Sequence, residues 1–191
     1  MNDTTHATLN DRTNRWRAAA WSLAAILMIL PLVAGLVTDK VAWDAGDFLL
    51  LGVLLAAVLG VVELAVRRSS HPAFRAAVVV AAAAGFLLVV VNLAVGIIGS
   101  EGDPANLMFA GVLAVACGGT VLARFRARGL ARAMVIAAAA QVLVGAVALV
   151  LGLGSGGPVW PVDILGATAF FTALWGTAAW LFRRSATEKA R

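Results

Sequence analysis

Long apolar runs alternate with short polar stretches along the whole chain. Ala18 to Thr38 carries no charge at all. Phe48 to Val66 follows with one acid, Glu63. Then come Ala76 to Ser100, Pro104 to Ala123, and a run that starts at Ala133 and fades into GLGSGG at 152–157. Ile164 to Phe182 is the last. Each is close to the roughly 20 apolar residues that a helix needs to cross a bilayer. The pattern predicts an all-α bundle of six transmembrane helices in one domain over 18–183. Tails at 1–17 and 184–191 flank it. The first run exceeds the 7–15-residue apolar core of a signal peptide. With Arg15 and Arg17 beside it, it fits an uncleaved anchor.

Composition agrees. Of 191 residues, 62% are hydrophobic and 13% charged, and the mean hydropathy is +0.94. An ordinary soluble domain has about 25% charged residues. The net charge of +5 would suggest nucleic acid in a soluble protein. Here the placement of charge changes that reading. The N-terminal tail, the loops at 67–75 and 124–132 and the C-terminal tail hold 14 of the 15 basic residues. The other loops hold Lys40 alone, with Asp39, Asp44, Asp47, Glu101, Asp103 and Asp163. Lys and Arg accumulate on cytoplasmic loops, which predicts that both termini face the cytoplasm. Basic loops at that surface attract anionic lipid headgroups, so the lipid bilayer is the expected partner and nucleic acid is not. Trp16, Trp21 and Trp180 fall near the basic boundary, and Trp43 and Trp160 near the other. Such aromatic belts mark membrane interfaces.

The chain also repeats. Arg67, Arg126 and Arg183 each follow Asp47, Asn106 and Asp163 by 20 residues, and Gly60, Gly119 and Gly176 follow them by 13. RAAVVVAAAAG and RAMVIAAAAQ open the third and fifth runs almost alike. This predicts three parallel helical hairpins, over about 18–68, 75–126 and 132–183. A pseudo-threefold axis along the membrane normal would relate them; a simple row would give the same signal. Gly52, Ala56 and Gly60 are spaced by four, as are Thr168, Thr172 and Gly176, and Gly111 and Gly119 occupy matching positions. Small residues at this spacing let helix backbones approach closely, so these faces are expected to pack tightly, within one chain or between chains.

Polar residues at the acidic ends have two readings. Asp103-Pro104 resembles a helix N-cap followed by proline at the first helical position, and Asp44 and Asp47 repeat the spacing from Asp103 to Asn106. Alternatively, Asp47, Asn106 and Asp163 line an outer vestibule that attracts cations. Within the runs, Glu63 stands four residues before Arg67, a spacing suited to an ion pair; the functional version is a proton or cation site. Asn92 and Gln141 either bond between helices or contact a solute. Pro31 is expected to kink the first helix, and Trp175 to pack.

Little else carries chemistry. Cys117 is the one cysteine and reads as a small buried apolar residue. His6 and His71 lie outside the apolar runs, so paired haem ligation inside the bilayer is unsupported. GLGSGG fits G-x-G-x-x-G, but a membrane run precedes it and Pro158 follows, not the strand and helix that a nucleotide loop requires. No cofactor, metal site or catalytic residue is expected, and no enzyme motif appears.

DFLLLGVLLAAVLGVVELAVRR, NLAVGIIGSEGDPANLMF and RFRARGLARA, within about residues 43–135, resemble small six-helix bacterial inner-membrane proteins without a known activity. The resemblance implies a bacterial inner-membrane protein. Two functions follow as expectations: a non-enzymatic accessory or scaffold subunit packed against other membrane proteins or itself, or a small-solute or ion transporter.

Overall fold

A computed structural model describes residues 21–22, 24–29, 33 and 44–188. The described residues of the first apolar run are helical, and 24–29 are labelled α1. Pro31, Trp43, His6, Trp16 and both tail ends lie outside the described residues. Five long helices follow: α2 (Ala45–Arg68), α3 (Pro72–Ala94), α4 (Met108–Leu122), α5 (Ala127–Val150) and α6 (Val162–Glu188). A 3-10 turn, Pro104–Leu107, leads into α4. No strand occurs among the described residues.

Five of the six expected spans are therefore present as helices, with shifted ends. The third was expected to reach Ser100 but stops at Ala94, because Gly96 turns left-handed (φ 73°) and its amide bonds back to Val91 O. It starts at Pro72, where proline at the first position has no N–H to lose. The fifth was expected from Ala133 but begins at Ala127, and the sixth passes Phe182 to reach Glu188. In both, charged residues continue the helix beyond its apolar part; Arg184 Nε donates to Glu188 Oε1 at 2.9 Å, one turn apart. GLGSGG stops α5. Gly152 is left-handed, its N–H bonds to Leu149 O, and Leu153 N–H bonds to Ala148 O, the paired bonds of a glycine-terminated helix.

The chain divides into two compact units, residues 1–60 and 61–191. In the first, Ala24, Leu51 and Leu55 are buried, and a Cβ built on Gly52 would lie 3.3 Å from Met28 Cε.

The second unit holds one continuous apolar core, from Ala65 to Phe182. Its principal helix contacts are α5 with α6, α3 with α6 and α4 with α5. Trp175, Phe171 and Phe182 of α6 are buried with Phe109, Leu88 and Ile164. Phe74 meets Phe182 edge to face at 5.4 Å. The outside is apolar too: Leu122 and Val150 are each 85% exposed. Such a surface suits hydrocarbon rather than water.

Candidate functional site: a polar seam between α5 and α6

The residues singled out by the sequence fall into three places. The first is the acidic ends of the helices. Asp44 Oδ1 accepts from Gly46 N and Asp47 N, and Asp47 Oδ2 accepts from Asp44 N in return. This is a reciprocal helix cap. Asp103 caps the 3-10 turn by accepting from Ala105 N at 2.9 Å. Asp163 accepts from Ile164 N at 2.8 Å.

Asn106 does something different. Its Oδ1 accepts from Ile97 N and Ile98 N, and its Nδ2 donates to Ile98 O and Ser100 O, at 2.7–3.1 Å. The side chain thus ties the 95–103 loop to the start of α4, with Ile97 and Ile98 turned into the core. Asp47, Asn106 and Asp163, which the sequence pattern aligns, have three distinct hydrogen-bond roles. Gly99 and Gly154, both left-handed, bring the 95–103 and 151–161 loops backbone to backbone. A Cβ on Gly154 would lie 2.6 Å from Gly99 N.

The second place is the basic ends. Glu63 Oε1 accepts from Arg67 Nε at 2.9 Å. Arg75 donates to Ser69 O and Val66 O, satisfying carbonyls at the end of α2. His71 Nε2 lies 2.7 Å from Glu188 Oε2, joining the start of α3 to the end of α6.

The third is the seam. α5 and α6 pack antiparallel, and Gly145 permits their approach: a Cβ there would strike the Thr168 hydroxyl. One turn before Gly145 is Gln141, and one turn after Thr168 is Thr172. Gln141 is fully buried. Neither its Oε1 nor its Nε2 has a hydrogen-bond partner among the described residues, and the same is true of Thr168 Oγ1, Thr172 Oγ1 and Trp175 Nε1. Outside the seam, on α3, Asn92 Nδ2 bonds to Leu88 O of its own helix, leaving Oδ1 buried without a partner among the described residues. A buried polar group without a hydrogen bond costs about 1–3 kcal/mol. The seam therefore concentrates unspent hydrogen-bonding capacity inside an otherwise apolar bundle. Its amide and hydroxyl groups both donate and accept, which suits a neutral polar solute or side chain. Sequence reasoning named Asn92, Gln141, Thr168 and Thr172 and expected Trp175 to pack, as its burial shows, but missed the part played by Gly145. The spacing of Gln141 and Gly145, one turn apart, was the available signal.

The small residues divide. Gly119 packs directly on α5: a Cβ there would lie 2.6 Å from Ala133 Cβ. Gly60, Gly111 and Gly176 have nothing within 4 Å of a built Cβ, and Ala56 is exposed. Cys117, expected to be buried, is exposed. On a membrane helix an apolar side chain can face lipid, so the soluble-protein rule for thiols does not transfer. Among the described residues no three His, Cys, Asp or Glu side chains could share a metal ion.

By length and composition these five helices are those of a multi-pass integral membrane protein in contact with a lipid bilayer. No family model, curated protein or solved structure matches the chain.

Proposed function

We propose that this is a bacterial inner-membrane protein with both termini cytoplasmic, built from three parallel hairpins, and that it serves as a non-enzymatic accessory or scaffold subunit of a membrane complex. The observation that carries the reading is the open small-residue surface at Gly111 and Gly176. Nothing described lies against those glycines, and such faces admit a neighbouring helix backbone. The acidic-end polar groups support it by being used locally: Asp44 and Asp47 cap a helix, and Asn106 holds a loop. In this reading Glu63 serves as an ion-pair partner, and Asn92 and Gln141 as polar packing groups.

Native mass spectrometry of the tagged protein, gently extracted from its own membrane, tests the reading. A stoichiometric partner protein is expected, and Gly111→Leu with Gly176→Leu should strip it without lowering the thermal midpoint. A chain that migrates alone in both forms overturns it.

A second reading, transport of a small neutral solute, rests on the seam. Its unpartnered Gln141, Thr168 and Thr172 groups have the chemistry to exchange hydrogen bonds with a passing solute. A lone protein or homo-oligomer holding such a solute, lost in Asn92→Ala but kept in Glu63→Gln, would favour this reading over the first.

A further inference from the structure

The turn from α4 to α5, residues 123–126, is unusual in its backbone. Arg124 and Phe125 are both left-handed, with φ of 47° and 57°. Left-handed backbone costs an ordinary L-residue roughly 1–2 kcal/mol, and glycine avoids that cost. Two flanking glycines hold the helices close here. A Cβ on Gly129 would lie 2.8 Å from Ala123 Cβ, and one on Gly119 would lie 2.6 Å from Ala133 Cβ. So the chain uses glycine for close packing on either side of the turn, yet keeps arginine and phenylalanine at the two strained positions. Strain that persists at a surface points to a use for the side chains.

The surroundings say which use. Arg124, Arg126 and Arg128 are exposed, and none pairs with a carboxylate among the described residues, in contrast to Arg67 and Arg184. The sequence holds no acid between Asp103 and Asp163. Arg68 lies over the Phe125 ring, 5.5 Å from its centroid, adding a fourth cation. Beside this cluster, at the end of α4, Val121 is 70% and Leu122 85% exposed. Cations thus stand immediately next to bare aliphatic surface, at the end of an apolar helix, where headgroups meet acyl chains. The guanidinium fork matches phosphate oxygens in geometry as well as charge.

We infer that the α4–α5 turn is a docking site for an anionic phospholipid, with the phosphate on Arg124, Arg126 and Arg128 and the acyl chains along Val121 and Leu122. Phe125 sits at the level between the two.

The test uses the full chain in mixed micelles, with lipid retention read by native mass spectrometry. Phosphatidylglycerol should be retained in preference to phosphatidylcholine. Its apparent affinity should fall about fivefold for each of Arg124, Arg126 and Arg128 replaced by Gln. Arg183→Gln, at another basic end, should leave retention unchanged. Phe125→Gly provides a readout that loss of structure would not give: the thermal midpoint should rise as strain is relieved, while retention falls. Equal retention of the two lipids, full retention by the triple variant, or an equal loss in Arg183→Gln would each overturn the proposal. So would displacement of the lipid by free glycerol phosphate at matched concentration, since the acyl surface would then contribute nothing.

Discussion

Asn106 and Gln141 are both buried carboxamides, and the protein treats them in opposite ways. Around Asn106 the chain supplies four backbone partners from the preceding loop. Around Gln141 it supplies none. The difference lies in the neighbouring backbone. At the start of α4 the chain is irregular, and free N–H and C=O groups need partners. In mid-helix the backbone N–H groups are bonded along the helix, so a side chain there finds only a carbonyl one turn back, as Asn92 does at Leu88 O, or another side chain. A polar residue in a loop of a membrane protein can thus be structural by default, whereas the same residue at mid-helix stands out.

The largest expected effect comes from Asn106→Leu. It strands the Ile97 and Ile98 N–H groups, and at about 1–3 kcal/mol for each the loss should be roughly 2–6 kcal/mol. Thermal unfolding in detergent micelles measures it. A change below about 1 kcal/mol would mean that the loop holds itself without the clamp. Next comes Gly145→Ala, which places a methyl group against Thr168. Overpacking of this kind costs about 1–3 kcal/mol, and adding Thr168→Ala should recover most of it. No recovery would break the close approach of α5 and α6 at Gly145 and Thr168 on which the seam rests.

Gln141→Leu should act with the opposite sign to Asn106→Leu. Removing an unbonded amide of similar volume should stabilise the bundle by about 1 kcal/mol. A drop in stability would show that Gln141 is bonded after all and would erase the contrast. The smallest effect is expected from Gly176→Ala. With open space around it, the added methyl should raise stability by about 0.5 kcal/mol through helix propensity alone. A loss would reveal a neighbour against that face in the isolated protein.

The sequence made much of this legible, and the failures have physical causes. Apolar run length located five of the helices because hydrocarbon thickness sets it. Run length could not locate their ends, because charged residues such as Arg128 and Glu188 extend a helix past its apolar part as readily as they end it. The pairing of Glu63 with Arg67 was readable because its partners lie one turn apart. The clamp at Asn106 was not, since its partners lie up to nine residues back and depend on the left-handed turn at Gly96. Cys117 misled for another reason: hydrophobicity implies burial only where the solvent is water. The seam was half visible. Gln141 announced itself as polar at depth, but that it lacked a partner depends on what surrounds it, which no local pattern encodes.

The pairing of helices in the second unit has a consequence for how the protein is made. α3 finds its principal neighbour in α6, the helix furthest from it in that unit, and α5 needs α6 as well. α3 is made well before α6, its principal neighbour among the described helices. The α3–α6 and α5–α6 contacts both wait for α6. The core of the second unit therefore closes around its last helix, and contacts this far apart in sequence are the kind that form late in folding.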